Sequence, residues 1–194
     1  MLVSEINSYI SENTRDLSLI TWTDVDIRDY IDEAIEAIVI RAPQASSKKE
    51  LIDCVAGVDQ TLGVEAVEII NVISNGLSGD IIHQTDVIQK DAFVPGWKQV
   101  TPSSIVREWM KRSEPTAFLV SPPLDSTQPL LIEFSFIPAK VTDSADVIPI
   151  QNGYLQALRY FCMYKVYSRD SESTPTNQTS ELFFQKYEKE FITE

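Results

Sequence analysis

The chain has a single histidine, His83, which is the first residue to consider for acid–base chemistry. A catalytic triad requires an imidazole beside an activated nucleophile, and no serine lies in a Gly-x-Ser-x-Gly motif. His83 itself lies in a segment of polar and turn-forming residues, Gly79–Asp86. We therefore expect His83 to be a polar residue near a loop, and we expect the chain not to be an enzyme.

Carboxylates form the richest group that could hold a metal ion, and their spacing does not match an EF-hand. They are Asp24, Asp26, Asp29, Asp32, Glu33 and Glu36. Two pairs of like charges stand four residues apart, which costs a helix a few tenths of a kcal/mol for each pair. Three interpretations remain open: a solvated helix face, an acidic face turned toward a basic partner or a DNA channel, or an oxygen-ligand metal site.

The other reactive residue types point to no cofactor. Two cysteines, Cys54 and Cys162, are too few for a disulfide framework and are expected to be buried thiols. The six glycines form neither a dinucleotide-binding motif nor a Walker A loop. Basic residues are scattered and the net charge is −13, which argues against tight binding of a phosphate backbone.

The acidic residues belong to the clearest predicted helix, which begins at Thr23 and extends to about Arg41. Thr23 and Asp26 fit an aspartate form of the capping box, and Pro43 is expected to end the helix. Apolar residues share one face: Ile27, Tyr30, Ile31, Ala34 and Ile38. The opposite face carries the candidate channel or partner residues Asp26, Asp29, Glu33 and Glu36.

The middle of the chain is predicted to be β-rich. A polar linker over 44–50 precedes strand-like sequence, and a β-branched run over 64–73 closes at the turn signal Asn75-Gly76. Asp86 is expected to cap a short helix that ends near Ala92. Segments 105–111 and 117–121 predict a hairpin, with a helical turn over 104–112 as the alternative. A strand over 130–137 and an extended polar loop over 139–150 follow.

Two further helices are predicted near the C-terminus. The first extends from Asn152 or Gly153 to about Ser168 and is apolar around more than one face, so it is central in its own fold or packs on a neighbouring subunit. The candidate packing residues are Tyr154, Leu158, Phe161 and Tyr164. A polar loop over 170–179 leads to a last helix over 181–192, whose aromatic stripe either docks on the chain's own core or inserts into a partner's groove.

Helices therefore bracket a central β section, which indicates an α+β fold: a helical bundle with an inserted β-rich section and a C-terminal extension. The predicted parts are 1–43 (N-terminal bundle helices), 44–150 (β-rich section with a short helix), 151–169 (long bundle helix) and 170–194 (tethered C-terminal helix or tail). The acidic N-terminus lacks the features of a signal peptide, and no apolar run approaches the roughly 20 residues of a membrane helix. We expect the chain to be made and used in the cytoplasm, or inside a particle assembled there.

Short motifs follow one another in a fixed order along nearly the whole chain. They are Trp22 with a helix ending in Arg41-x-Pro43; Gly57-x-x-Gln60-x-Leu62; a strand ending in Asn75; Pro95-x-Trp97; Pro115-x-x-Phe118 with Pro122-Pro123; a strand ending in Pro138; a helix from Tyr154 to Tyr167-x-x-Asp170; and Phe191. In this order and spacing the chain resembles the head-to-tail adaptor (connector) proteins of short-tailed, podovirus-type bacteriophages. It departs from them at Leu62-Gly63, where Leu-Pro is frequent, at Asn152-Gly153, where Pro-Asp is frequent, and over 106–112, where an acidic hairpin is expected.

The resemblance implies a virion structural protein without active site, cofactor or metal. Such adaptors form a ring of about twelve copies beneath the portal protein, extend the DNA channel, and dock the tail nozzle or tail fibres. A ring of this chain would carry a charge of roughly −150, which suits DNA that passes without binding. Residues 179–194 are expected to grip the portal through Phe183, Phe184, Tyr187 and Phe191.

Two other functions are alternatives to the adaptor. One is a different phage interaction protein, such as a tail-completion or baseplate component, which ring stoichiometry on a portal would separate from an adaptor. The other is a metal-dependent hydrolase that uses the acidic helix. In that case the double change Asp29→Asn with Glu33→Gln would abolish a measurable activity, whereas a solvated face would tolerate it.

Overall fold

The computed structural model describes residues 1–16, 21–63, 65–169 and 174–192, which form two compact units. The helical unit consists of Met1–Ser46 and Ile137–Glu194, and the β unit consists of Ser47–Phe136. The described helices are α1 (Val3–Thr14), α2 (Asp24–Arg41), α3 (Val87–Phe93), α4 (Leu155–Arg169) and α5 (Thr174–Lys189). The described strands are β1 (Ser47–Cys54), β2 (Gly57–Thr61), β3 (Ala66–Asn75), β4 (His83–Gln84), β5 (Glu108–Lys111), β6 (Ala117–Leu124) and β7 (Gln128–Phe136).

The predicted α+β class is confirmed, with the β section inserted between N-terminal and C-terminal helices. Of the described helices, none is long and apolar enough to cross a membrane.

Helix α2 shows how sequence and structure agree in the helical unit. The Thr23 hydroxyl accepts a hydrogen bond from the Asp26 backbone N–H at 3.3 Å, and the Asp26 carboxylate accepts one from the Thr23 N–H at 3.2 Å. This reciprocal pair satisfies two amides that have no partner within the helix. The apolar face is buried together with residues of α1 and α4: Ile6, Ile10, Ile27, Ile31, Ile38, Leu158 and Cys162.

Helix α1 is held by backbone contacts with the loop that precedes α4. The Val3 N–H donates to the Asp146 carbonyl at 3.0 Å, and the Ser4 N–H donates to the Ser144 carbonyl at 2.8 Å. The predicted extended loop over 139–150 therefore supplies acceptors to the first turn of a helix, where the amides lack intrahelical partners.

The β unit contains two sheets, with strand orders β1-β7-β3 and β2-β6-β5-β4. In the first sheet β7 pairs antiparallel with both neighbours. In the second sheet Trp109 and Phe118 are fully buried and meet edge to face, with ring centroids 6.4 Å apart. The hairpin predicted from 105–111 and 117–121 is present as β5 and β6.

The two ends of the β unit lie on paired strands. Ser47, the first residue of β1, stands opposite Ser135, the penultimate residue of β7. The chain therefore enters and leaves the β unit on neighbouring antiparallel strands.

Two sequence predictions of local structure were wrong. Residues 47–50, expected to belong to a polar linker, form the start of β1 because they pair with residues 132–135 of β7. Residues 174–179, expected to be loop, form the first turns of α5. Polar residues extend a helix readily once it is nucleated, since each added residue gains a backbone hydrogen bond.

Several predicted features lie outside the described residues. They are Val64 at the start of the β-branched run, residues 170–173 of the polar loop with Asp170 of the Tyr167-x-x-Asp170 motif, and residues 193 and 194.

Candidate functional site

The acidic face of α2 is partly neutralised within its own unit. Asp26 accepts a hydrogen bond from Arg169 of α4 at 2.8 Å, and Glu33 forms an ion pair with Lys165 of the same helix. The pKa of the Asp26 carboxyl is lowered, chiefly by the hydrogen bond from the Thr23 hydroxyl and further by Arg169. Two of the four predicted channel residues therefore also bind α2 to α4.

Asp29 and Glu36 are exposed, and no ion-pair partner for either lies among the described residues. They line a shallow pocket of the helical unit together with Asp32, Glu33, Ile137, Pro138 and Lys140. The Asp32 carboxylate accepts a hydrogen bond from the Val141 N–H at 3.0 Å. No three His, Cys, Asp or Glu residues in the described ranges are placed to hold a metal ion. Asp29 and Glu36 therefore belong to an exposed acidic surface of the helical unit.

The aromatic stripe of α5 packs on α4. Phe183 stacks on Tyr167 with ring centroids 5.7 Å apart, and Phe184 lies 5.1 Å from Tyr164. Tyr187 meets Phe161 at 5.3 Å, and Phe191 stacks on Tyr154 at 6.3 Å. Contacts of this kind stabilise beyond simple area burial, by about 0.5–1.5 kcal/mol for each pair.

A charged clamp fixes the C-terminal end of α5. The guanidinium of Arg41, at the end of α2, donates to both carboxylate oxygens of Glu188, one of them at 3.0 Å. The same guanidinium lies 4.9 Å from the centroid of the Phe191 ring. The hydrogen bond from Arg41 lowers the pKa of Glu188.

The two predicted contact sets therefore touch each other within one chain. Phe161 and Tyr164 of α4, predicted for subunit packing, contact Tyr187 and Phe184 of α5, predicted for portal binding. Tyr154, directly before α4, contacts Phe191, which follows α5, and the same two predictions apply to them. Leu158, also predicted for subunit packing, is fully buried in the helical unit. Binding of a portal or a neighbouring subunit by these residues stays a prediction.

The remaining reactive groups are separated or inaccessible. His83 is exposed on the two-residue strand β4, opposite Glu108. Burial raises the pKa of the Cys54 thiol to about 12, and burial raises the pKa of Cys162 further. Neither thiol is a reactive thiolate at neutral pH, because only a lowered pKa provides one.

The amide residues of the sequence motifs hold the chain at turns. The Gln60 side chain accepts from the Val55 N–H at 2.9 Å and donates to the Val55 carbonyl at 2.8 Å. The Asn75 side chain likewise accepts from the Val106 N–H and donates to the Val106 carbonyl, both at 2.8 Å. In each case one side chain satisfies both backbone groups of one residue. Sequence alone identified these residues as motif members but gave no signal for their partners.

The family model described as SU10 adaptor protein matches residues 1–193, and the resemblance to head-to-tail adaptors is thereby confirmed. No curated protein sequence matches the chain. The full-length match shows that the chain belongs to the SU10 adaptor protein family and is a structural, non-enzymatic adaptor of a phage virion.

Proposed function

We propose that about twelve copies of the chain form a ring beneath the portal, extend the DNA channel, and present a docking surface to the tail nozzle or fibres. The family match over residues 1–193 is the observation that carries this proposal. The net charge of −13 supports it, because an acidic wall repels DNA and lets it pass without adhering.

Within this proposal, Asp29 and Glu36 supply charge to the channel or to a basic partner. Both are exposed, whereas Asp26 and Glu33 are bound to α4 by Arg169 and Lys165. Neutralising Asp29 and Glu36 therefore changes the surface potential and leaves the packing of α2 on α4 intact.

The test is to mix the chain with the portal protein encoded beside it and to measure the native mass of the complex. An adaptor adds a discrete, ring-sized mass in a fixed ratio to the portal subunits. A chain that leaves the mass of the portal unchanged would instead act as another tail-completion or baseplate component.

We further propose that residues 179–194 contact the portal. In the described structure the aromatic stripe is occupied by α4, so portal binding through the stripe requires α5 to leave α4. The opposite side of α5 is accessible, with Leu182 49% exposed. These two modes of contact make different predictions.

If the stripe binds the portal, Arg41→Ala releases the clamp on Glu188 and strengthens portal binding, because less free energy is needed to free α5. Leu182→Glu then leaves portal binding unchanged and serves as the matched control. If the outer side binds, Leu182→Glu weakens binding and Arg41→Ala does not strengthen it. Titration of labelled portal with each variant distinguishes the two modes, and equal affinity for all three chains would exclude α5 as a portal contact.

A further inference from the structure

Helix α3 presents its apolar side chains to solvent. Phe93 is 82% exposed and Ile88 is 76% exposed. Every residue of α3 is described, and none of them is buried. A single exposed apolar residue is ordinary on a protein surface, but two on one seven-residue helix without a buried residue indicate a surface that another molecule covers.

Polar contacts hold α3 in place of a buried apolar face. The Asp86 carboxylate accepts from the N–H groups of Ile88 and Gln89 at 2.8 and 3.0 Å. Asp91 accepts from the indole N–H of Trp97 at 2.7 Å, and Lys90 forms an ion pair with Glu108 of β5.

These tethers connect α3 to a buried anchor. Trp97 is buried against Met110 and Leu119, with Val87 at the edge of the same cluster. A helix of this length is only marginally stable by itself in water. The hydrogen bonds and the ion pair described above therefore hold α3 in its helical form before any other molecule binds. The exposed residues are therefore presented on a preorganised support, which lowers the entropic cost of binding.

The segment that contains α3 carries no net charge, whereas the chain as a whole is strongly acidic. Residues 77–107 contain three acidic residues, Asp80, Asp86 and Asp91, and three basic residues, Lys90, Lys98 and Arg107. The whole net charge of −13 therefore resides outside this segment. The segment also exposes Leu77 and Ile81, at 75% and 70%.

We propose that residues 77–107, centred on Ile88 and Phe93 of α3, form the surface through which neighbouring copies of this chain contact each other. The inference rests on the proposed ring and names one of the two different surfaces that each copy contributes to its head-to-tail contacts. Two acidic copies repel each other over most of their surfaces, and a neutral apolar segment is where they approach at least electrostatic cost. A basic partner would instead be drawn to the acidic face of α2.

Self-association of the full chain tests this surface directly. Ile88→Ser with Phe93→Ser removes the apolar contact, and Val25→Ser with Ile40→Ser removes two exposed apolar residues of α2 as a matched control. Sedimentation equilibrium over a wide concentration range measures the association constant. The α3 variant is expected to lower it at least about tenfold, while the control matches the unmodified chain.

A second variant keeps the apolar residues and changes only the charge. Gln89→Glu with Ala92→Glu adds like charge at exposed positions of α3. Association is expected to weaken at low salt and to recover as salt rises, because the Debye length falls from about 10 Å at 0.1 M to about 3 Å at 1 M. This salt dependence is not expected if α3 has merely unfolded.

Loading of the portal separates this inference from the proposed function. If copies contact through residues 77–107, the unmodified chain fills portals cooperatively, so empty and full portals coexist in native mass spectra. The Ile88→Ser, Phe93→Ser chain still binds but fills portals at random.

Three results overturn the inference. The first is self-association of both α3 variants equal to that of the unmodified chain. The second is loss of portal binding by the α3 variants with unchanged self-association, which would assign the surface to the portal. The third is an unmodified chain that stays monomeric alone and fills portals at random. If the chain ignores the portal, the ring proposal fails, and the self-association measurement alone decides the surface.

Discussion

At the scale of single residues, the motifs that identify the chain are structural. Gln60 and Asn75 each bind both backbone groups of one other residue, Val55 and Val106 respectively. A buried backbone group without a partner costs about 1–3 kcal/mol, so an amide of the right length is required at these positions. These two motif positions therefore need a side chain with both a donor and an acceptor.

Replacing Asn75 by Asp is expected to destabilise the chain by about 2 kcal/mol. The carboxylate can accept from the Val106 N–H, but it cannot donate to the Val106 carbonyl and places negative charge beside it. Asn71→Asp, at an exposed position of the same strand, is the matched control and should change stability by less than about 0.5 kcal/mol. Urea unfolding followed by tryptophan fluorescence measures the stability of both variants. An equal loss of stability in the two would contradict a special role for the hydrogen bonds between Asn75 and Val106.

The Asp26 carboxylate is expected to make stability depend on pH. Its pKa is lowered in the folded chain, first by the Thr23 hydroxyl. Its contribution is therefore fully present above the ordinary Asp pKa of about 3.9 and is lost as the pH falls through the lower folded pKa. The stability difference between the unmodified chain and Asp26→Asn should be largest at pH 7 and shrink below about pH 4. A difference that is constant from pH 7 to pH 3 would assign the effect of Asp26→Asn to packing, and Asp29→Asn is the exposed control.

At the scale of secondary-structure elements, α4 and α5 form one aromatic interface. Tyr187 is the centre of it, 4% exposed and in contact with Phe161, Phe184 and Phe191. The excess of apolar residues around α4 is thus used inside the helical unit, where α1, α2 and α5 share its surface. Of the two interpretations of the aromatic stripe of α5, the structure shows the one in which the stripe packs on the chain's own helices.

Truncating Tyr187 to Ala is expected to cost about 3 kcal/mol and to increase hydrogen exchange throughout α5. The loss has this size because a buried aromatic ring leaves a cavity that the helix pair fills only in part. Leu182→Ala, on the accessible side of the same helix, should remain within about 0.5 kcal/mol of the unmodified chain. Exchange in α5 that is unchanged by Tyr187→Ala would show that the stripe does not hold the helix.

The elements that sequence predicted are those whose signals are local. The capping box of Thr23 and Asp26, the apolar period of α2, and the Asp86 cap of α3 all lie within a few residues of one another. The start of β1 and the first turns of α5 were missed, because polar residues there take their structure from pairing with β7 and from helix propagation.

The same limit applies to the candidate site. The acidic residues of α2 could be named from sequence, but their neutralisation could not. Asp26 and Arg169 are separated by 143 positions, and no local pattern relates them. The exposure of Ile88 and Phe93 was likewise hidden, since an apolar residue on a short helix is ordinarily buried.

At the scale of the whole molecule, the chain consists of two units that each have a core. The β unit buries Val72, Trp109, Phe118, Leu130 and Ile132 within its own strands. A unit of about 90 residues with its own core is within the size range of domains that fold alone.

Residues 47–136, produced alone, are therefore expected to fold with a cooperative thermal transition and to protect the Cys54 thiol from alkylation. The comparison is the full chain, in which Cys54 is buried. Circular dichroism and the rate of thiol modification are the measurements. A broad, non-cooperative transition with rapid alkylation would show that the β unit depends on the helical unit for its structure.

Because Ser47 pairs with Ser135, the β unit is an insert whose two ends lie on neighbouring strands. The points at which the chain enters and leaves the β unit are separated by about the 5 Å between opposed residues of antiparallel strands. Any foreign domain whose own termini are equally close could take the place of the insert through two short joints. The same two joints therefore offer a place to graft a reporter or an affinity domain onto a virion component.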